Sequence, residues 1–148
     1  MTRIDLDKAY LERACLGDRE AMDFLLLWNR YVHEIDDILD GDADSAEDIL
    51  RTFARAAMLY SHPFYLKNIA ALRQVVLIVT NAYADSVAWE KSGVEWKRNW
   101  ADHNRHAGLE MVLAVAMILG GYDHARAISP EQREICQHDH HDQDGEPN

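Results

Sequence analysis

An all-α fold is predicted by three observations. Apolar residues recur at helical spacing along the chain, no alternating strand pattern interrupts them, and only three prolines occur in 148 residues. The expected architecture is an antiparallel helical bundle of about four main helices with shorter flanking ones. It occupies a single domain, residues 1–136. An acidic, His-containing tail, residues 137–148, is too poor in apolar residues to fold and is expected to be disordered.

A first helix is predicted from about Asp5 to Leu16, stopped by Gly17. Asp18 then caps a second helix, which carries Ala21, Phe24, Trp28, Ile35 and Leu39 on one stripe and ends at Gly41. Leu25, Leu26 and Leu27 make its first half apolar on every side, so part of its length should be buried. Ser45 with Asp48 resembles a capping box and opens a third helix to about Tyr60. Ser61-His62-Pro63 breaks the chain, and Pro63 suits the first turn of a fourth helix reaching about Lys91. Between Ile69 and Val87 that helix is apolar on most faces, which predicts a central, buried position. Ser92-Gly93 separates it from a fifth helix, about Val94 to Leu119, ended by Gly120-Gly121, and a short helix is expected after Ser129-Pro130.

The chain holds 26 acidic against 15 basic residues, a formal charge of −11. Such a surface repels phosphate backbones, so nucleic acid is excluded as the expected partner. It suits recruitment of Mg²⁺ or Mn²⁺ through carboxylates. Cys15 and Cys136 lie far apart without a CxxC pair, as in a reducing compartment. The N-terminus lacks the apolar segment of a signal peptide, and the runs Val75–Val79 and Met111–Leu119 are too short to span a bilayer. A cytoplasmic protein that does not engage a membrane is expected.

Three polar features carry candidate chemistry. The first is the end of the second helix, where His33, Asp36, Asp37 and Asp40 cluster. At about 100° per residue, His33, Asp37 and Asp40 fall roughly opposite the apolar stripe and Asp36 lies between. This is either the wet face of an amphipathic helix or a cation site. Clustered aspartates at the negative end of a helix dipole cost stability unless something compensates them. The second is a seam of Gln74, Asn81 and Asp85 in the most apolar helix, where buried polar groups would demand partners or a polar cavity. The third is Asn99, Asp102, His103, His106 and Glu110. His106 and Glu110, one turn apart, suit a general base with its orienter or a ligand with its neighbour. Three such seams predict a shared polar cleft. Trp89, Trp96 and Trp100 are assigned to the core or to an interface, and His138-Asp139-His140-His141-Asp142 to a solvated tail.

Asp36-Asp37-Ile38-Leu39-Asp40 resembles the first aspartate-rich motif, DDxxD, of the isoprenyl diphosphate synthases. The resemblance implies that Asp36, Asp37 and Asp40 hold Mg²⁺ against a diphosphate. It covers about ten residues, and the paired arginines and second aspartate motif of that family have no counterpart here. In size, acidity and helical content the chain is also similar to the MazG-like nucleoside triphosphate pyrophosphohydrolases. That similarity implies an oligomer in which Glu34, Asp37 and Asp40 form one acidic set and Asp85 with Asn81 the other.

The expected function is metal-dependent action on a phosphorylated small molecule, nucleotide pyrophosphate hydrolysis first. Asp36, Asp37, Asp40 and Asp85 would be Mg²⁺ or Mn²⁺ ligands, and His33, His106 and Glu110 would handle protons. Gln74, Asn81, Arg73 and Arg105 would contact substrate, with Lys97 as a further cation. Isoprenoid-synthase-like diphosphate chemistry is a further alternative. The competing class is a non-catalytic oligomeric helical protein that sequesters a small ligand or partner protein.

Overall fold

Local chemistry sets most helix ends. A computed structural model describes residues 7–141, with side chains to residue 135. Asp7 caps α1 (Lys8–Ala14) by accepting from the Ala9 amide, and Asp18 caps α2 (Arg19–Asp40) by accepting from that of Ala21. Gly41 ends α2 in the left-handed region, at φ 77°, where glycine adds no Cβ strain. Ser45 accepts from the Asp48 amide to start α3 (Ala46–Tyr60). His62 accepts from the Phe64 amide, and Pro63 opens α4 (Pro63–Lys67). Then follow α5 (Ile69–Glu90), α6 (Glu95–Arg105), a 3₁₀ turn (Ala107–Leu109) and α7 (Glu110–His141). Among the described residues there is no strand; the fold is all-α.

Two expected helices are each divided. Pro63–Lys91 breaks at Asn68, whose side chain donates to the Phe64 carbonyl at 2.9 Å. Val94–Leu119 breaks at His106, beside a tertiary contact. Trp28 of α2 donates its indole N–H to the Gly108 carbonyl at 2.8 Å. A Cβ at Gly108 would stand 3.0 Å from a Val32 methyl, so any larger residue there would have to push that side chain aside. Beyond it, the stop expected at Gly120-Gly121 is present: Gly121 (φ 83°, ψ −179°) is non-helical and divides α7 at a kink, and Pro130 lies inside the helical stretch that follows, where a short helix was expected only after Ser129-Pro130. The expected disordered tail, residues 137–148, falls outside the described side chains, and residues 142–148 fall outside the described chain.

The helices pack mainly as neighbouring pairs: α2 with α3, α5 with α6, and α1 with α7, while α7 also meets α5 and α2. The core joins Tyr10 and Leu11 of α1, Phe24, Leu25 and Trp28 of α2, Phe64 of α4, Leu72 of α5, and Met111, Val112 and Val115 of α7. Burying one such side chain contributes about 1.5–3 kcal/mol. The path Glu95–Ile135 contains an 18-residue window of mean hydropathy 1.3, apolar and long enough to cross a membrane, with 33% of the window buried. That window exceeds the short apolar runs read from sequence. In this fold, Met111, Val112, Val115 and Ala116 of the same stretch form part of the bundle core.

Burial is narrower than expected in α2 and α5, and α3 carries its apolar stripe outward. Of Leu25, Leu26 and Leu27, Leu25 alone is fully buried, and Leu26 is exposed. Helix α5 is not surrounded: Leu72, Val79, Tyr83 and Ser86 are buried, but Leu77 and Ile78 are exposed. Within this chain α5 is packed on one side, and nothing described covers the other. Helix α3 is turned about. It rests on α2 through Thr52, Leu59 and an Arg55–Glu34 ion pair, while Leu50 and Phe53 are 65% and 69% exposed. Its apolar stripe faces away from the core of its own chain.

Candidate functional site

The acidic end of α2 finds its counter-charge on another helix. Asp36 lies about 80° from Trp28 around α2 and about 20° from Leu25, which turns it toward the packed side. It is 1% exposed. From α6, Arg105 reaches over with Nη1 to Asp36 Oδ1 at 2.7 Å. Its Nη2 donates to both oxygens of Glu90 on α5, at 3.0 and 2.9 Å, and lies 3.2 Å from Asp40 Oδ1. The guanidinium also sits over the ring of Tyr83, 5.8 Å from its centroid. Three carboxylates from two helices thus surround one arginine from a third. Their charge exceeds the guanidinium's by two.

Burial raises the Asp36 pKa, and Asp40 adds to the rise. Arg105, through its charge and its hydrogen bond, and His33 oppose it without cancelling it. Asp36 Oδ2 is sealed from solvent and has no hydrogen-bond partner among the described residues. Burial works against the charge of Arg105, but the Glu90 hydrogen bond and the fields of Asp36, Asp40 and Glu90 outweigh it and raise that pKa. Burial likewise raises the Tyr83 phenol, with Asp36 as the next cause. The cluster locks α2, α5 and α6 together, since its members pair across all three.

The other expected site residues scatter. Asp37 is exposed on α2, outside the cluster. Gln74, Asn81 and Asp85 lie about 160–200° around α5 from Tyr83 and are exposed, so the second seam faces away from the cluster. Arg73 is exposed as well. His106 is the residue at which α6 ends, and its ring meets the Asp102 carbonyl at 3.1 Å. Glu110 begins α7 and pairs with Arg133. The one-turn spacing of His106 and Glu110 is therefore not the spacing of a single helix. Glu34 is held by Arg55, at 2.8 and 2.9 Å. Of the three seams, the first meets one residue beside the third, Arg105, and the second stands apart. Glu90 and Tyr83 carry no polar-cluster signal in the sequence, although both lie within about 20° of buried Leu72 around α5.

Among the described residues, no group of three or more His, Cys, Asp and Glu side chains is placed to hold a metal ion. As arranged, Asp36, Asp40 and Glu90 fit a guanidinium. Comparison with protein-family models, with curated proteins and with solved structures found no match to this chain. Fold and cluster together define an all-α protein with an arginine-centred acidic cluster and outward apolar helix faces.

Proposed function

We propose that this chain acts by assembly, as a non-catalytic helical protein that self-associates and offers an apolar face to a ligand or partner protein. The observation that carries this reading is the orientation of α3. Leu50, Phe53 and Ala57 form a helical stripe, all exposed, with Met58 exposed nearby. Contiguous apolar surface of this kind marks interaction sites. Sedimentation of the full chain over a range of concentrations tests the reading. A mass above one chain is expected, and binding of an apolar dye should fall in Leu50→Glu/Phe53→Glu. A monomer with unchanged dye binding in that variant would overturn it.

One observation favours a second reading. A sealed, unpartnered carboxylate oxygen on Asp36, in a cluster with surplus negative charge, suits a cation-dependent site. Mg²⁺-dependent action on a phosphorylated small molecule, nucleotide pyrophosphate hydrolysis first, is proposed on that ground. It requires Arg105 to leave Asp36 for a phosphate. Melting curves with and without Mg²⁺ or Mn²⁺ and pyrophosphate, on wild type and Asp36→Asn, test it. An equal response in both proteins would exclude it.

A further inference from the structure

Helix α5 has two faces and its own chain covers one. The uncovered face is centred on Gln74 and Asn81, which lie within about 20° of each other, with Leu77 about 50° to one side and Ile78 about 50° to the other. Small residues, Ala70, Ala71, Ala84 and Ala88, complete it, and all are exposed. Ile78 is 68% exposed. The ionisable residues on this side of α5 are Arg73 and Asp85, one of each sign, since Glu90 is turned to Arg105. In a chain of charge −11, this is a strip on which two copies approach without net repulsion.

We propose that α5 pairs with α5 of a second copy, antiparallel, about a two-fold axis passing between Leu77 and Ile78. This rests on the assembly reading and names its partner and register. The face is self-complementary at that axis. Residues equidistant from it come level, so Gln74 of each copy meets Asn81 of the other, and the symmetry makes the amide pair twice. Leu77 meets its own copy on one side of the axis and Ile78 on the other. The alanines let the helices close to about 8–10 Å. Polar groups that are idle on a monomer surface thereby gain partners inside an apolar seam.

The α5 strip alone is smaller than a stable interface, and α6 adds to it. At 1.5 Å per residue, α5 offers a strip of about 33 by 10 Å, so a pair buries roughly 700 Å², short of the ~1,200 Å² of a small stable interface. Beside it, Trp89 of α5 stacks edge-on with Trp96 of α6, ring centroids 5.8 Å apart. Trp96 and Trp100 are more than half exposed, and they extend the strip toward that lower limit.

Sedimentation of full-length Ile78 variants tests the register, with circular dichroism to confirm that each remains helical. Because Ile78 faces its own copy, Ile78→Glu and Ile78→Lys should each sediment as one chain, by like-charge repulsion. An equimolar mixture should recover the two-chain mass. Leu50→Glu/Phe53→Glu on α3 should keep the wild-type mass. A dimer that survives Ile78→Glu, or two variants that stay monomeric when mixed, would overturn the α5 register while leaving assembly standing. A wild-type chain that sediments as a monomer throughout would overturn both.

Discussion

Helices α2 and α3 are both strongly two-faced, and the fold uses them in opposite senses. Helix α2 turns Phe24, Leu25 and Trp28 into the core, whereas α3 turns Leu50 and Phe53 outward and meets α2 through Thr52, Leu59 and Arg55. Amphipathic periodicity states that a helix has a side to bury; it does not state in which molecule. In α2 the stripe is buried within the chain as far as Trp28, and Leu39 at its end is exposed. In α3 it awaits something else, and what holds α3 in place is a mixed contact reinforced by the ion pair from Arg55 to Glu34.

The sharpest way to break the comparison is to truncate matched phenylalanines. Phe24→Ala should cost about 3–5 kcal/mol in urea unfolding, because it opens a cavity among Phe64, Tyr65 and His62. Phe53→Ala, the same chemical change, should stay within about 0.5 kcal/mol. Equal losses would mean that α3 is packed more deeply than its exposure indicates.

Next in size is Arg105→Met, which strips the buried Asp36 of its counter-charge. A loss of about 2–3 kcal/mol is expected at neutral pH, reduced from a fully buried pair because Asp40 and Glu90 are partly solvated. The pH dependence has a definite sign. The pKa of Asp36 is raised in the folded protein, so its contribution favours the fold below the ordinary carboxylate value of 3.8 and is lost as pH rises through the folded value. Removing Arg105 raises that value further. The deficit of the variant should therefore shrink as pH falls from 7 toward 4. A deficit independent of pH would detach Asp36 from it.

Smaller effects sharpen the picture. Arg55→Met should cost about 1 kcal/mol, measured by urea unfolding, since the pair it breaks is half-buried. Gly41→Ala should cost a similar 1 kcal/mol, because alanine is strained at φ 77° even with open space around it. No change at Gly41 would indicate that the α2–α3 link relaxes to accommodate the side chain.

Much of the fold was legible because its signals are local. Asp18, Gly41, Ser45 and Pro63 mark helix ends by chemistry that acts over a few residues, and the sequence reading placed all four. The departures come from long-range contacts. Nothing near Gly108 announces that Trp28 will claim its carbonyl from 80 positions away, yet that contact accompanies the break in the expected fifth helix. Asp36 and Asp40 were legible as a cluster of like charges needing compensation, but not as partners of Arg105, 69 positions from Asp36. The apolar neighbours of Gln74, Asn81 and Asp85 predict burial on every side and so an interior seam. In this chain it lies on the surface.

The placement of the tryptophans gives the protein two optical windows on itself. Trp28 is buried with its indole N–H tied to a carbonyl, while Trp96 and Trp100 stand in solvent beside the half-buried Trp89. A buried indole emits at shorter wavelength than a wet one. The blue edge of the emission therefore follows the integrity of the bundle, and the red edge, with its access to a dissolved quencher, follows whatever settles against α6. Folding and encounter can be watched separately in one unlabelled sample.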